Sequence, residues 1–333
     1  MILAAESIEE YCTCQGRRYI ADGCLFLNPS GASLKGGFRG ESLTLDLLSE
    51  PVVSDRNAYV RLTVDGRSRR IRLPKRGKRL TLAVPAGEHL FELLKLNESE
   101  SNSLSIASIR TDGEFLPIRE EKVLKIEFVG DSITTGYGVR AKSADEDYSV
   151  ATQDFTLSYA YLTARALNAE YSVVAASGWG LYKSKYAEHA IPDFYDNVDL
   201  TRNRVKWDFS LFRPDVIVLA LGTNDFSYLA DLDEVARSRE LVAFRDHTVA
   251  FVRRLLSENA KVIFVYGFAG SERQAGFPAF AEEVWRAVDD PRFYTLQVRS
   301  NHDLDDIRAG HPGRKTHRLA AARLIRTIEK DLR

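Results

Sequence analysis

The chain has 333 residues, more than one average domain and close to two. Hydrophobic residues make up 44% and charged residues 28%, with 10 Pro and 21 Gly, so extended disorder and fibrous repeats are excluded. With 46 Lys and Arg against 47 Asp and Glu, the net charge is -1. No field of the whole protein therefore attracts it to nucleic acid or to anionic lipid.

Three cysteines lie in the first 24 residues, Cys12, Cys14 and Cys24. They are too few for a disulfide scaffold, so we expect reduced thiols. The apolar stretch 2–5 has no basic flank, which is untypical of a secretory signal. No run approaches the ~20 apolar residues of a membrane span. The sequence thus predicts a cytoplasmic protein without a membrane partner, or a secreted one if a leader has been removed.

Apolar residues tend to alternate from about residue 25 to 110, in short segments separated by turns. Such alternation is typical of half-buried strands, and Asp65-Gly66 is a favoured hairpin turn. Without a helical pattern between them, these strands predict a β-sandwich. The predicted strand segments contain Leu43 to Leu47, Val60 to Val64, Ile71 to Leu73, Leu80 to Val84 and His89 to Leu96.

The pattern changes after Pro117, where short apolar runs alternate with helical segments. We therefore predict two domains, 1–118 and 119–333. The helical period is clearest in 157–167, 241–255 and 320–328. Alternating strands and helices predict a doubly wound α/β layer with a parallel sheet. Its predicted strands are Val123 to Val129, Tyr171 to Ala176, Val216 to Leu221, Val262 to Tyr266 and Phe293 to Val298.

Polar or glycine-rich sequences follow three of these strands, at the end where doubly wound sheets bind ligands. They are Gly130-Asp131-Ser132, Ser177-Gly178-Trp179 and Gly222-Thr223-Asn224-Asp225. A fourth, Gly310-His311-Pro312, precedes the last helix. The chemistry-bearing residues of the C-terminal domain are therefore expected at one edge of the sheet.

These residue types are those of acyl transfer. The Ser132 hydroxyl becomes a nucleophile when a base removes its proton, and the His311 imidazole has the pKa range for that. The N–H of Ser132, the N–H of Gly178 and the Asn224 amide can donate to a developing oxyanion. We predict Ser132 and His311 as catalytic residues, with Ser132, Gly178 and Asn224 as the oxyanion hole.

The four sequences resemble the blocks of the SGNH (GDSL-type) hydrolases, serine esterases and lipases on a flavodoxin-like sheet. The flank from Lys125 to Gly138, after a β-rich domain, is similar to family 2 of the carbohydrate esterases. That resemblance implies a jelly-roll domain followed by an SGNH domain, with removal of acetyl groups from xylan or xylo-oligosaccharides. It implies an acetylated carbohydrate as substrate and no metal or organic cofactor.

The sequence departs from the SGNH pattern before His311. The superfamily usually has an aspartate two or three residues earlier, where this chain has Arg308 and Ala309. Asp305, Asp306 or a backbone carbonyl are the alternatives for orienting the imidazole. The departure leaves open a carbohydrate-binding protein with vestigial catalysis. A broad short-chain esterase or lysophospholipase-like enzyme is the other alternative.

Two further features have competing explanations. Trp179, flanked by glycines, is the best candidate for stacking on a sugar ring, although most aromatic residues serve core packing. The segment 67–79 holds eight basic residues and no acidic one, and a solvated strand face explains most of it. No metal-ligand spacing occurs, and we expect no nucleic-acid partner. The sequence leaves the oligomeric state open.

Overall fold

The computed structural model describes residues 1–118, 122–200, 205–270 and 274–332. The chain divides into two compact units, Met1–Glu121 with Asn197–Trp207, and Lys122–Asp196 with Asp208–Arg333. The predicted boundary between residues 118 and 119 stays a prediction, because 119–121 lie outside the described residues. No helix in the described ranges combines the length and the apolar composition that crossing a membrane requires.

The N-terminal unit is an antiparallel sheet of ten strands. The strands are β1 (Ile2–Ala4), β2 (Thr13–Gln15), β3 (Tyr19–Ala21), β4 (Cys24–Phe26), β5 (Ser33–Leu48), β6 (Tyr59–Val64), β7 (Arg67–Arg72), β8 (Lys78–Lys95), β9 (Ser105–Thr111) and β10 (Glu114–Leu116). Seven of them follow the order β3-β4-β9-β5-β8-β6-β7; β1 pairs with β9, and β2 and β10 pair with β5. A short helix α1 (Ile8–Tyr11) follows a 3-10 turn (Ala5–Ser7).

The predicted all-β domain is confirmed, but the strand number differs, because the sequence predicts five strand segments and the described residues form ten strands. The two segments predicted around Leu80 to Val84 and His89 to Leu96 are parts of the single strand β8, which pairs with β5 along most of its length. Pro85 lies opposite the register shift between Gly40 and Ser42. A proline costs no ladder hydrogen bond at such a bulge, so the strand continues through it.

The Asp65-Gly66 turn joins β6 to β7, with positive φ at both residues (49° and 77°) as a type I′ hairpin turn requires.

The basic strand β7 lies at the edge of the sheet. Arg70 stacks over the Tyr59 ring at 3.8 Å, and Arg72 donates to Asn57. Charged side chains on an edge strand prevent pairing with other chains, which accounts for the basic composition of β7.

The segment Asn197–Trp207 is held by the N-terminal unit although it is distant in sequence. Asp199 Oδ2 accepts from Asn28 Nδ2 at 2.8 Å and from the Tyr19 hydroxyl at 3.1 Å. The buried Arg17 guanidinium donates to the Asn197 carbonyl at 2.8 Å. This segment lies inside the range 119–333 that was predicted as the C-terminal domain, and no local pattern in the sequence indicates that it packs in the N-terminal unit.

The C-terminal unit has a parallel sheet of five strands, and each predicted strand occurs within two residues of its observed bounds. They are β11 (Lys125–Gly130), β12 (Glu170–Ala175), β13 (Val216–Ala220), β14 (Lys261–Tyr266) and β15 (Phe293–Gln297), with the small pair β16 (Ile307–Arg308) and β17 (His311–Pro312). Their order in the sheet is β12-β11-β13-β14-β15, the 2-1-3-4-5 order of flavodoxin-like folds. The predicted fold class is confirmed.

The helices of this unit are α2 (Ser132–Thr135), α3 (Tyr159–Ala166), α4 (Ile191–Phe194), α5 (Thr223–Leu229), α6 (Glu234–Leu256), α7 (Phe277–Val288) and α8 (Arg314–Thr327), with a 3-10 turn (Phe155–Leu157) and a π-helical end (Ile328–Leu332). They include the three predicted from a helical period, α3, α6 and α8. Phe244, Val252 and Leu255 of α6, for example, are all buried.

Candidate active site

The first three polar sequences begin at the same edge of the parallel sheet. β11 lies between β12 and β13, and its last residue Gly130 pairs with Ala175 on one side and Ala220 on the other. Ser132, Gly178 and Asn224 follow these residues by two to four positions. They therefore leave neighbouring strands at the carboxyl edge, next to the point where the strand order reverses.

Ser132 and His311 are in direct contact. Ser132 Oγ lies 2.9 Å from His311 Nε2, across 179 positions of sequence. Ser132 is the first residue of α2, and Asp131 caps that helix by accepting from the Ile133 N–H at 2.9 Å. The distance between hydroxyl and imidazole is within the range for proton transfer from a nucleophile to a base.

A backbone carbonyl lies behind the imidazole. His311 Nδ1 is 3.0 Å from the Ala309 carbonyl oxygen. Since a carbonyl only accepts, Nδ1 carries the proton and Nε2 is left with the lone pair facing Ser132. Burial lowers the pKa of His311, against the opposing effect of the Ala309 carbonyl. Burial, the larger effect, favours a neutral imidazole, and the Ala309 carbonyl selects the tautomer that a base needs.

Neither of the two nearby aspartates hydrogen-bonds to His311. Asp306 Oδ2 accepts from the Thr316 N–H at 2.7 Å and from the Thr316 hydroxyl at 3.0 Å, so it caps α8. Asp305 is exposed. Of the three alternatives for orienting the imidazole, the backbone carbonyl is the one in place.

Two backbone donors at this edge have no partner in the described part of the chain, the N–H groups of Ser132 and Gly178. Gly178 has φ +83°, a conformation that favours glycine, and a Cβ there would lie 3.0 Å from the Tyr186 Cβ. Asn224 Nδ2 donates to the Trp179 carbonyl at 2.8 Å and lies 3.4 Å from Asp131 Oδ2. The Asn224 amide is thus held between the first and second polar sequences.

Asp225 anchors the loop that follows Gly178. Its buried carboxylate accepts from the N–H groups of Leu181, Tyr182 and Lys183 at 3.0, 2.7 and 3.0 Å. Burial raises the pKa of Asp225 to about 6, although the three N–H donors favour the charged form. Asp225 therefore fixes the conformation of this loop.

The aromatic residues divide into buried and accessible ones. Trp179 is 6% exposed, and its ring packs against His189 and Phe194. Its role as a substrate contact stays a prediction.

Tyr137 lies over the His311 ring, with centroids 4.2 Å apart. Tyr186, which the sequence analysis missed, is 63% exposed and adjoins Gly178. The sequence feature that could have indicated an exposed Tyr186 is its place in a polar loop without any periodic pattern.

A serine and a neutral histidine in contact at the carboxyl edge of a flavodoxin-like sheet form the arrangement of a serine hydrolase. Residues 128–319 match the GDSL-like lipase/acylhydrolase family, and residues 14–118 match the carbohydrate esterase 2 N-terminal family. The chain therefore belongs to the GDSL-like lipase/acylhydrolase family and, with its N-terminal domain, to carbohydrate esterase family 2. The predicted family is confirmed.

One curated relative and two solved structures agree with this membership. An acetylxylan esterase / glucomannan deacetylase from Cellvibrio japonicus is 31% identical over 265 residues, which is 75% of this chain and 69% of the relative. A family two carbohydrate esterase structure from Cellvibrio japonicus has a TM-score of 0.86 at 25% identity, covering 99% of this chain and 97% of the other. The acetyl xylan esterase Est2A from the rumen bacterium Butyrivibrio proteoclasticus has the same fold, with a TM-score of 0.88 at 22% identity and coverages of 100% and 98%.

Proposed function

We propose that this chain is an esterase that removes acetyl groups from acetylated carbohydrate of the xylan or xylo-oligosaccharide type. The observation that carries the proposal is the 2.9 Å contact between Ser132 Oγ and His311 Nε2, with Nδ1 turned to a carbonyl. The acetylxylan esterase relative that matches three quarters of the chain supports the acetyl group and the carbohydrate.

In the first half of the reaction Ser132 Oγ attacks the ester carbonyl carbon while His311 Nε2 takes the hydroxyl proton. The imidazolium that forms keeps its Nδ1–H bond to the Ala309 carbonyl. The tetrahedral intermediate collapses as the bond to the sugar oxygen breaks, and His311 gives its proton to that oxygen. The products are a free sugar hydroxyl and an acetyl group on Ser132.

In the second half, water replaces the sugar alcohol. His311 Nε2 removes a proton from the water as its oxygen attacks the acetyl carbonyl. The bond to Ser132 Oγ then breaks, His311 returns the proton to Oγ, and acetate leaves. The imidazole acts as base and then as acid in each half, which requires it to be neutral at rest. The lowered pKa of His311 meets this requirement.

Negative charge develops on the carbonyl oxygen in both halves. The N–H groups of Ser132 and Gly178 are the donors without another partner in the described ranges. The Asn224 amide has two hydrogens, of which one is engaged at 2.8 Å by the Trp179 carbonyl. Its second hydrogen makes the long 3.4 Å hydrogen bond to Asp131 Oδ2, and by exchanging this bond for one to the oxyanion it becomes the third donor. Preorganised donors of this kind contribute most where water is excluded.

Tyr186 is the surface on which the sugar would rest. The residue is exposed, and its Cβ and carbonyl adjoin the proposed oxyanion donor Gly178. The flat apolar faces of pyranose rings pack on aromatic side chains. Lys185 Nζ lies 5.5 Å from the ring and is paired with Asp231, so the rim of the site is polar. This combination suits an open cleft for oligosaccharide better than a pocket for a long acyl chain.

The test compares acyl chain length, substrate class and the two proposed catalytic residues. Acetate release from acetylated xylo-oligosaccharides is measured beside hydrolysis of p-nitrophenyl acetate, butyrate and octanoate. We expect acetyl esters to be preferred, Ser132→Ala and His311→Ala to be inactive, and Ser227→Ala, a half-buried serine on α5, to remain active. Faster turnover of octanoate would instead indicate a lipase-like enzyme, and no covalent labelling of Ser132 by a fluorophosphonate would overturn the esterase.

The cytoplasmic compartment stays a prediction, because the three cysteines are unreactive enough to remain reduced inside or outside the cell. Cys12, Cys14 and Cys24 are free and buried, and burial raises the pKa of Cys12 to about 12. Thiols of this kind stay protonated and do not exchange with disulfides. To test the compartment directly, cells of the source are fractionated, and the untagged protein is sought in the cytoplasmic and the secreted fraction.

A further inference from the structure

One loop contacts both the backbone before His311 and the aromatic residue that covers its ring. We call residues 140–152 the clamp loop. Its ends are closed by the Arg140 N–H, which donates to the Thr152 carbonyl at 2.9 Å, and by the Arg140 guanidinium, which pairs with Asp154 at 2.6 Å. A loop closed at its base presents its middle in a restricted geometry.

The middle of the clamp loop holds the backbone that orients His311. The N–H groups of Ala309 and Gly310 donate to the carbonyls of Ser143 and Ala144 at 2.9 and 3.0 Å. Ala309 has φ +47°, a left-handed conformation that is unfavourable for alanine and persists only when its surroundings enforce it. The two hydrogen bonds to the clamp loop provide that enforcement and so direct the Ala309 carbonyl to His311 Nδ1.

The far end of the clamp loop packs on Tyr137, the residue whose ring covers the imidazole. Tyr148 stacks on Tyr137 with centroids 3.8 Å apart and an interplanar angle of 10°. Tyr137 in turn lies over His311 at 4.2 Å. The imidazole is therefore confined on this face by two consecutive rings, in addition to the hydrogen bond at its edge.

The same tyrosine is connected to the nucleophile. The Tyr148 hydroxyl donates to Gln153 Oε1 at 3.1 Å, and Gln153 Nε2 donates to Thr135 Oγ1 at 2.8 Å. Thr135 Oγ1 donates to the Ser132 carbonyl at 3.0 Å, which also accepts from the Tyr137 N–H at 2.9 Å. Tyr148 thus links the base and the nucleophile through one continuous set of contacts.

We propose that the clamp loop performs the positioning task that an acidic side chain performs in Ser-His-Asp enzymes, and that Tyr148 is its positioning residue. The inference rests on the proposed function, since it concerns how His311 is held for work on Ser132. An aspartate holds the imidazole through Nδ1 alone. Here a neutral carbonyl accepts from Nδ1, and the stacked rings supply the remaining restraint on ring orientation.

The test replaces the outer ring of the stack and measures kcat and KM separately on p-nitrophenyl acetate. Tyr148→Leu removes the aromatic face, and we expect kcat to fall about 10- to 100-fold with KM within about twofold, the range for a misplaced catalytic group. Tyr148→Phe keeps the stack and is expected to restore most of kcat. Tyr294→Leu, a half-buried tyrosine on the edge strand β15, is the matched control and keeps wild-type turnover.

A second measurement follows the chemistry at Ser132 itself. The rate of fluorophosphonate labelling depends on proton removal by His311, so it should fall in Tyr148→Leu in the same proportion as kcat. Thermal unfolding of each variant establishes that it is folded. Tyr148 is only half-buried, and Tyr148→Met provides the same comparison if the leucine variant does not fold.

Three results would overturn the proposal. The first is wild-type kcat in both Tyr148→Leu and Tyr148→Met, and the second is a change of KM in these variants without a change of kcat. The third is a loss of kcat in Tyr148→Phe equal to that in Tyr148→Leu, which would assign the effect to the hydrogen bond with Gln153. The proposed function fails separately, if Ser132→Ala hydrolyses the ester like the wild type. If Ser132→Ala is inactive and Tyr148→Leu has wild-type kcat, the proposal for the clamp loop is rejected while the proposed esterase function stands.

Discussion

His317 makes the stability of the C-terminal unit depend on pH. It is buried in α8, where its Nδ1 accepts from the Tyr159 N–H at 3.1 Å, and its Nε2 has no partner among the described residues. Burial lowers the pKa of His317 to about 4, with the neighbouring His311 adding to the effect and Asp306 opposing it. Protonation would charge a buried ring and displace the Tyr159 N–H.

The magnitude follows from the pKa in the two states. The unfolded chain has the ordinary value of 6.5 and the folded chain about 4, so the unfolded state binds more protons between these values. Stability is then fully present above pH 6.5 and is lost as the pH falls towards 4. Between pH 7.5 and 4.5 this histidine alone should remove about 2.5 kcal/mol.

The assay compares the wild type with His317→Asn, whose side-chain oxygen can accept the Tyr159 N–H without titrating. Urea unfolding followed by tryptophan fluorescence gives the free energy of unfolding at both pH values. We expect the wild type to lose about 2.5 kcal/mol more than His317→Asn, while the exposed His302→Asn control behaves like the wild type. Equal losses in the wild type and His317→Asn would refute the assignment of a neutral buried imidazole.

Three further predictions concern the oxyanion donor, the sugar surface and the β domain. Asn224→Ala should lower kcat about 100- to 1000-fold, and unchanged turnover in steady-state kinetics would remove Asn224 from the oxyanion hole. Tyr186→Ala should raise KM for acetylated xylo-oligosaccharides about tenfold, or ~1.4 kcal/mol, and leave ethyl acetate unaffected; equal effects on both esters would argue against a sugar contact. His89 donates to Asp65 Oδ2 at 2.7 Å and to the Pro85 carbonyl at 2.8 Å, and Asp65 raises the pKa of His89. The stability from this pair is present below pH 6.5 and is lost as the pH rises through the raised pKa of His89. Asp65→Asn, which keeps a residue that tolerates the left-handed turn, should lower the His89 pKa in an NMR titration. An unchanged titration would exclude the ion pair.

Local patterns determined much of this protein in advance. The five parallel strands were recognisable because strands buried on both faces are short, nearly continuous apolar runs, as in Val216 to Leu221. Ser132, Gly178 and Asn224 could be placed at one edge because each directly follows such a strand, and parallel strands end together. The Asp65-Gly66 turn was readable because its backbone preference is a property of two residues.

The group behind His311 could only be decided by the tertiary structure. A backbone carbonyl has no side-chain signature, so the sequence left Asp305, Asp306 and a carbonyl open. The choice depends on the left-handed conformation of Ala309, which the clamp loop imposes from more than 160 residues away. The capping of α8 by Asp306 is equally invisible without knowing where the chain turns.

The sequence by itself therefore determined the type of each domain, the parallel strands of the C-terminal unit and the positions of the proposed site residues Ser132, Gly178 and Asn224 at the strand ends. Only the tertiary structure decided which groups hold them, including the clamp loop, the exposed Tyr186 beside Gly178 and the excursion Asn197–Trp207 bound to the N-terminal unit. The physical reason is that periodicity and turn preference arise from neighbouring residues, whereas orientation of a catalytic group arises from contacts between segments that meet only when the chain has closed on itself.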